Sequence, residues 1–209
     1  MAPKGNKDGA SHRRAFLARA NHLPPLRACF KGTWTMSSVA NLQPEAATIL
    51  ACTNRSTGTF KISVLRYAAQ DPKNRIGSLV INPGGPGASG VDYAYNAEYI
   101  FDPDLTDRFD IVGFDPRGVA RSAPITCFND AETDANYASD SKPDNEAEFQ
   151  STLAETKKFV QKCLNKNEHL TSFSTANTAR DMDILREALG EAKLHYMGKS
   201  YGTYLGALY

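Results

Sequence analysis

The sequence predicts an α/β fold in which a mostly parallel sheet is flanked by helices, and three observations carry that reading. Short apolar runs stop abruptly at Gly/Pro-rich turns: SLVIN before PGGPG, FDIVGF before DPRG, and LHYM before Gly198. Such runs are the mark of strands buried on both faces. Helical periodicity stands between the later runs. The third observation is size: 209 residues, 41% of them apolar and 22% charged, suffice for one domain with a real core.

In chain order, Phe60–Ala68 alternates partly with period two and reads as a half-buried strand. Ser78–Asn82 is the next strand, ended by Pro83-Gly84-Gly85-Pro86-Gly87. The following stretch, VDYAYNAEYI, makes a poor amphipathic helix. Phe109–Phe114 is a third strand, closed by Asp115-Pro116-Arg117-Gly118. A polar insert follows, roughly 122–175, with one helix expected near Asn145–Leu164. A second helix over Asn177–Leu189 places Met182, Leu185 and Leu189 on one face and ends at Gly190, a natural left-handed cap. Leu194–Met197 is the fourth strand. No internal repeat is visible.

With 24 Lys+Arg against 23 Asp+Glu, the net charge of +1 argues against nucleic acid as the main partner, because phosphate binding needs clustered cations. The charge is uneven: residues 1–31 hold seven basic residues (Lys4, Lys7, Arg13, Arg14, Arg19, Arg27, Lys31) against Asp8 alone. Residues 1–45 therefore read as a poorly ordered basic leader. It lacks the apolar h-region of a secretory signal, and no run approaches the roughly 18 apolar residues of a membrane span. The four cysteines (29, 52, 127, 163) form no CxxC pair, so no zinc site is expected. They permit two disulfides or four thiols, and spacing leaves both readings open. Asn54-Arg55-Ser56 fits a glycosylation acceptor, a weak signal.

The most informative stretch is Gly198-Lys199-Ser200-Tyr201-Gly202, a G-x-S-x-G motif between an apolar strand and a helix. A serine on such a bend is lifted above the sheet edge. The glycines on either side let neighbouring elements pass close by. The N–H of Tyr201, at the helix start, points toward an oxygen that turns negative during acyl transfer. The Gly84-Gly85 pair after the earlier strand stands where such chemistry needs its second N–H donor.

LVINPGGPGASG, FDIVGFDPRGVARS, ARDMDILREALG and GKSYGTYLG occur in the order and spacing of α/β-hydrolases of the tripeptidyl aminopeptidase and proline iminopeptidase branch. The chain resembles that branch over about 76–209, and more faintly over 48–75. The resemblance implies the amino-terminal portion of an α/β-hydrolase domain over 46–209. It makes Ser200 the nucleophile, and the N–H groups of Tyr201 and of Gly85 (or its neighbour Gly84) the oxyanion hole. Gly198, Gly202, Asp115 and Arg117 take structural places, with Arg117 a hydrogen-bond donor rather than a catalyst. It also implies a Cys127–Cys163 disulfide bracketing the insert, as in secreted relatives. Peptides near free N-termini, or small esters, become the expected substrates, without cofactor or metal. The pattern departs at Ala120, where similar proteins carry Gly; a positive φ there would strain the turn.

A serine hydroxyl needs a base, and the base an orienting acid. On this fold they follow the serine as Asp or Glu and then His, but the seven residues after Gly202 contain none of these. His195 lies five residues before Ser200 along a strand, about 16 Å away at about 3.3 Å per residue, and reads as a sheet residue. His169 falls in the insert, and His12 and His22 in the leader. Asp181, Asp183 and Glu187 read as the wet face of a helix. The expectation is thus the amino-terminal part of a longer hydrolase, unstable or aggregation-prone by itself. One reading from another class competes: Gly85-x-Gly87-x-x-Gly90 matches a dinucleotide-binding fingerprint, with Asp115 as the ribose acid. Pro86 removes a backbone donor where a pyrophosphate needs one. A catalytically inactive binding fragment is the remaining alternative.

Overall fold

The computed structural model describes residues 45–54, 58–140 and 142–209. The leader with His12, His22 and Cys29, the side chains of Cys52 and Asn54, and the rest of the Asn54-Arg55-Ser56 triplet lie outside the described residues. Five strands form one sheet in the order β1-β2-β4-β3-β5: β1 (Glu45–Asn54), β2 (Gly58–Tyr67), β3 (Gly77–Asn82), β4 (Phe109–Phe114) and β5 (His195–Gly198). The β3–β4 and β3–β5 pairs are parallel. The β1–β2 and β2–β4 pairs are antiparallel, with Ile49 opposite Ile62. Strands β4, β3 and β5 thus form the parallel part of the sheet, and the antiparallel ribbon of β1 and β2 extends it on one side.

Alternation along the strands sends side chains to two cores. Leu65, Leu79, Ile81 and Ile111 meet Val91, Ala94, Ala97 and Phe101 on one face. Val64, Val80, Val112 and Phe114 meet Ala179, Met182, Leu185 and Leu205 on the other. The first group belongs to α1 (Gly90–Tyr95) and α2 (Ala97–Ile100), followed by α3 (Pro103–Thr106). The expectation for this stretch is corrected: VDYAYNAEYI is helical, broken at Asn96. Its inward stripe consists of Val91 and two alanines, while Tyr95 and Tyr99 stand exposed. Tyrosines on the outer face hid that stripe from a periodicity argument.

The insert holds two helices where one was expected, α4 (Asp130–Ala138) and α5 (Glu146–Lys166). Asn129 and Glu132 form a reciprocal capping box on α4. No residue of α5 is buried; Cys163 near its end is disulfide-bonded to Cys127. Helix α6 (Thr175–Ala188) starts at the Ser174 cap and ends before Gly190, whose φ is +73°. It buries Met182 and Leu185 as its periodicity predicts, and also Asp181. Asp181 is thus not on the wet face: it is 1% exposed and faces Arg117, whereas Asp183 and Glu187 do lie in solvent. Helix α7 (Tyr201–Leu208) follows β5 directly. Among the described residues no helix is long and apolar enough to cross a membrane, and no cluster of candidate metal ligands occurs.

Candidate active site

Strands β3 and β5 run side by side in parallel, and their last residues, Asn82 and Gly198, are register partners. The turns leaving both strands therefore emerge next to each other. At β5 the chain passes through Lys199, whose N–H donates to the Asn82 carbonyl at 3.0 Å. It then bends at Ser200 (φ +51°, ψ −124°) before α7 begins. A residue with a Cβ in that region costs about 1–3 kcal/mol, which persists only where the surroundings enforce it. Here close packing enforces it. A Cβ on Gly198 would sit 2.4 Å from the Gly202 carbonyl oxygen, and one on Gly202 would sit 2.8 Å from the Asn82 carbonyl oxygen. The Tyr196 hydroxyl donates to the Gly202 carbonyl at 2.8 Å, tying strand to helix. Burial pushes that phenol up to about 12.

The bend leaves Ser200 exposed. Its hydroxyl does not cap α7, and among the described residues nothing hydrogen-bonds to it. The Tyr201 N–H also has no hydrogen-bond partner there, while its phenol meets the Thr175 hydroxyl at 2.6 Å. The diglycine turn lies against the same bend. Gly84 and Gly85 take φ of +95° and +107°, and a Cβ on Gly84 would stand 3.0 Å from Ser200 Cβ and 3.1 Å from the Tyr201 nitrogen. The two glycines are not equivalent. Gly84 donates its N–H to Asn82 Oδ1 at 2.9 Å, whereas the Gly85 N–H has no partner among the described residues.

The other residues singled out in the sequence sit behind this bend. Asp115 is fully buried: its carboxylate accepts from the Ser89 hydroxyl at 2.5 Å and from the N–H groups of Val91 (3.2 Å) and Arg121 (3.1 Å). It fastens the start of α1 to the end of β4 and offers nothing to a ribose, so the dinucleotide reading loses its acid. Arg117 is buried as well. Its Nε donates to Asp181 at 2.7 Å and its Nη1 to the Ser172 carbonyl at 3.0 Å, with the guanidinium 5.3 Å from the Phe60 ring centre. Burial pushes the Asp181 carboxyl up to about 6, against the pull of Arg117. Ala120 has φ +42°, the conformation its position was suspected to require.

Neither described histidine joins the site. His195 is an exposed residue of β5 whose ring packs 5.6 Å from that of Phe109, and the His169 ring stacks edge-on at 6.4 Å from Phe60. Two residues went unnoticed in the sequence. Lys199 lays its ammonium 5.3 Å from the Tyr93 ring centre and 6.0 Å from that of Phe101. Asn82 joins the two turns. Its only sequence signal is a polar residue closing an apolar run.

A sheet covered by helices on both faces, with a strained serine bend at the carboxyl end of a parallel strand and a diglycine turn against it, defines an α/β-type serine hydrolase architecture. A sequence profile of the alpha/beta hydrolase fold matches residues 77–209, and the chain belongs to that family. It is 43% identical over 151 residues to serine protease Hip1 of Mycobacterium tuberculosis, an alignment covering 71% of this chain and 29% of that protein. It is 42% identical over 139 residues to a tripeptidyl aminopeptidase of Streptomyces lividans (65% and 26% covered). It is 43% identical over 133 residues to carboxylesterase B of Mycobacterium tuberculosis (61% and 25%). The chain thus spans between a quarter and a third of the length of these relatives.

Proposed function

We propose that the chain carries the nucleophile and oxyanion side of a serine hydrolase that cleaves peptide bonds near free N-termini through an acyl-enzyme at Ser200. One observation carries this reading: an exposed serine held at φ +51° between β5 and α7, in contact with a diglycine turn whose Gly85 N–H is unpartnered. Ser200 Oγ gives its proton to the base and attacks the scissile carbonyl, and the Tyr201 and Gly85 N–H groups take the oxyanion. Collapse of that oxyanion breaks the C–N bond to leave the acyl-enzyme and the amine, which receives that proton. Gly84 is replaced in that role by Gly85, because Asn82 already holds its N–H. The acid and base come from outside the described residues, since no described histidine or carboxylate touches Ser200. The names of the relatives support peptidase chemistry, and the esterase among them supports ester cleavage on the same scaffold as the second reading.

A fluorophosphonate probe tests the assignment, because it phosphonylates only an activated serine. With the residues that supply the acid and base present, labelling that is abolished by Ser200→Ala is the expected result. Labelling that survives that substitution, or no labelling at all, overturns it. A tripeptide anilide compared with its N-acetylated form and with a p-nitrophenyl ester then separates the two readings. Loss of turnover on acetylation marks an aminopeptidase, and turnover of the ester alone marks an esterase.

A further inference from the structure

We infer that Asn82 is the positioning residue that makes the two turns of this site act as one, so that Gly85, and not Gly84, presents its N–H to the oxyanion; this rests on the hydrolase reading above. Four contacts converge on this buried residue, which is 1% exposed. Its side-chain oxygen accepts the Gly84 N–H at 2.9 Å. Because an N–H can bond only the amide oxygen, that contact also settles which way the carboxamide faces. Its carbonyl accepts the Lys199 N–H at 3.0 Å, one residue before the serine. Its backbone and side chain bound the space beside Gly202, where a Cβ would meet the carbonyl oxygen at 2.8 Å and Oδ1 at 3.0 Å. Its strand register places it opposite Gly198. One residue thus grips the diglycine turn with its side chain and the serine bend with its main chain.

The consequence for chemistry follows from what glycine permits. At φ +95° and +107° the Gly84-Gly85 backbone has no side chain to hold it, and its peptide planes turn freely unless something fixes them. The Asn82 carboxamide fixes the first plane by taking the Gly84 N–H. The Gly84 carbonyl accepts from Ala88 at 3.3 Å, which holds the far side of the same turn. The Gly85 N–H is then left as the unpartnered donor of the turn that packs against Ser200 through Gly84. Oxyanion donors act through preorganisation, so a donor that must first be oriented loses much of its effect.

The test uses the protein with the residues that supply its acid and base present, carrying Asn82→Ala or Asn82→Ser, the latter keeping a short neutral acceptor for the N–H two residues on. Amide hydrogen exchange by NMR reads the grip itself. Protection of the Gly84 N–H should fall at least about tenfold in Asn82→Ala, since the hydrogen bond that slows its exchange is gone, and should return in part in Asn82→Ser. Unchanged protection of Met182 and Leu185 in α6 shows that the fold survives. Fluorophosphonate inactivation reads the chemistry. The maximal rate should drop about 10- to 100-fold in Asn82→Ala with the half-saturating probe concentration unchanged, and Asn82→Ser should recover part of it. Equal Gly84 protection in wild type and Asn82→Ala overturns the inference, as does an unchanged maximal rate. A wild-type chain that fails to label sinks the hydrolase reading instead, and the Gly84 exchange then decides alone whether Asn82 holds the turn.

Discussion

Ala120 shows what one methyl group costs. Its φ of +42° puts the Cβ of a non-glycine residue close to its own carbonyl oxygen. Ala120→Gly should therefore stabilise the fold by about 0.5 kcal/mol, after the added freedom of the unfolded chain is subtracted, read as a higher urea midpoint at unchanged slope. The Arg117–Asp181 pair makes a sharper case. Arginine cannot shed its charge inside a protein, whereas Asp181 can take up a proton, and burial already raises it toward about 6. Removing the carboxylate strands a cation; removing the guanidinium leaves a group able to neutralise itself. Asp181→Ala should cost about 3–5 kcal/mol and Arg117→Met measurably less, by chemical denaturation at pH 7. Equal losses would show that packing around Phe60, and not charge, sets the cost.

At the scale of elements, the seam between β5 and α7 decides whether the serine bend exists. Tyr196 lies across that seam: its ring would meet a Cβ on Gly206 at 2.5 Å, and its hydroxyl donates to Gly202. Tyr196→Phe should lose about 1 kcal/mol, the worth of one such hydrogen bond. The pH dependence has a definite sign. Burial raises this phenol from 10.0 to about 12 in the folded chain. Its contribution is therefore full below pH 10 and is lost as pH rises through about 12. A spectrophotometric tyrosine titration of wild type against Tyr196→Phe should show the late-ionising phenol missing from the variant.

Taken as a whole, the molecule divides unequally. The sheet and its two cores hold β1–β5, α1, α2, α6 and α7 together. The insert is attached differently: α5 buries nothing and meets its surroundings through the Cys127–Cys163 disulfide, the Phe128–Phe159 ring pair and the Asn167–Thr126 hydrogen bonds. Closing a loop over a sequence separation of 36 residues removes unfolded-state entropy worth about 4 kcal/mol in the chain-entropy picture. Reduction should therefore speed amide exchange through α4 and α5 well before α6 responds. Simultaneous loss of protection in α6 would show the insert to be part of the central cooperative unit. At the other extreme of the sheet, no strand among the described residues pairs with the free edge of β5, and open edges invite association.

Local pattern decided the strands β3 and β4, the helix over Thr175–Ala188 with its Gly190 cap, and the G-x-S-x-G bend, because each rests on neighbours in sequence: an apolar run, a 3.6-residue period, a glycine at a fixed offset. It did not reveal that VDYAYNAEYI is helical or that Asp181 is buried. In the first case the inward stripe is made of small residues that score weakly. In the second, the partner Arg117 lies 64 residues away, and no periodicity can announce a distant counter-ion. Which of the Gly84 and Gly85 N–H groups is left unpartnered likewise waited for three dimensions, since both are glycine and only the carboxamide of Asn82 distinguishes them. Chain chemistry settles which bends are possible; which N–H remains free at the bend depends on what the fold brings alongside it.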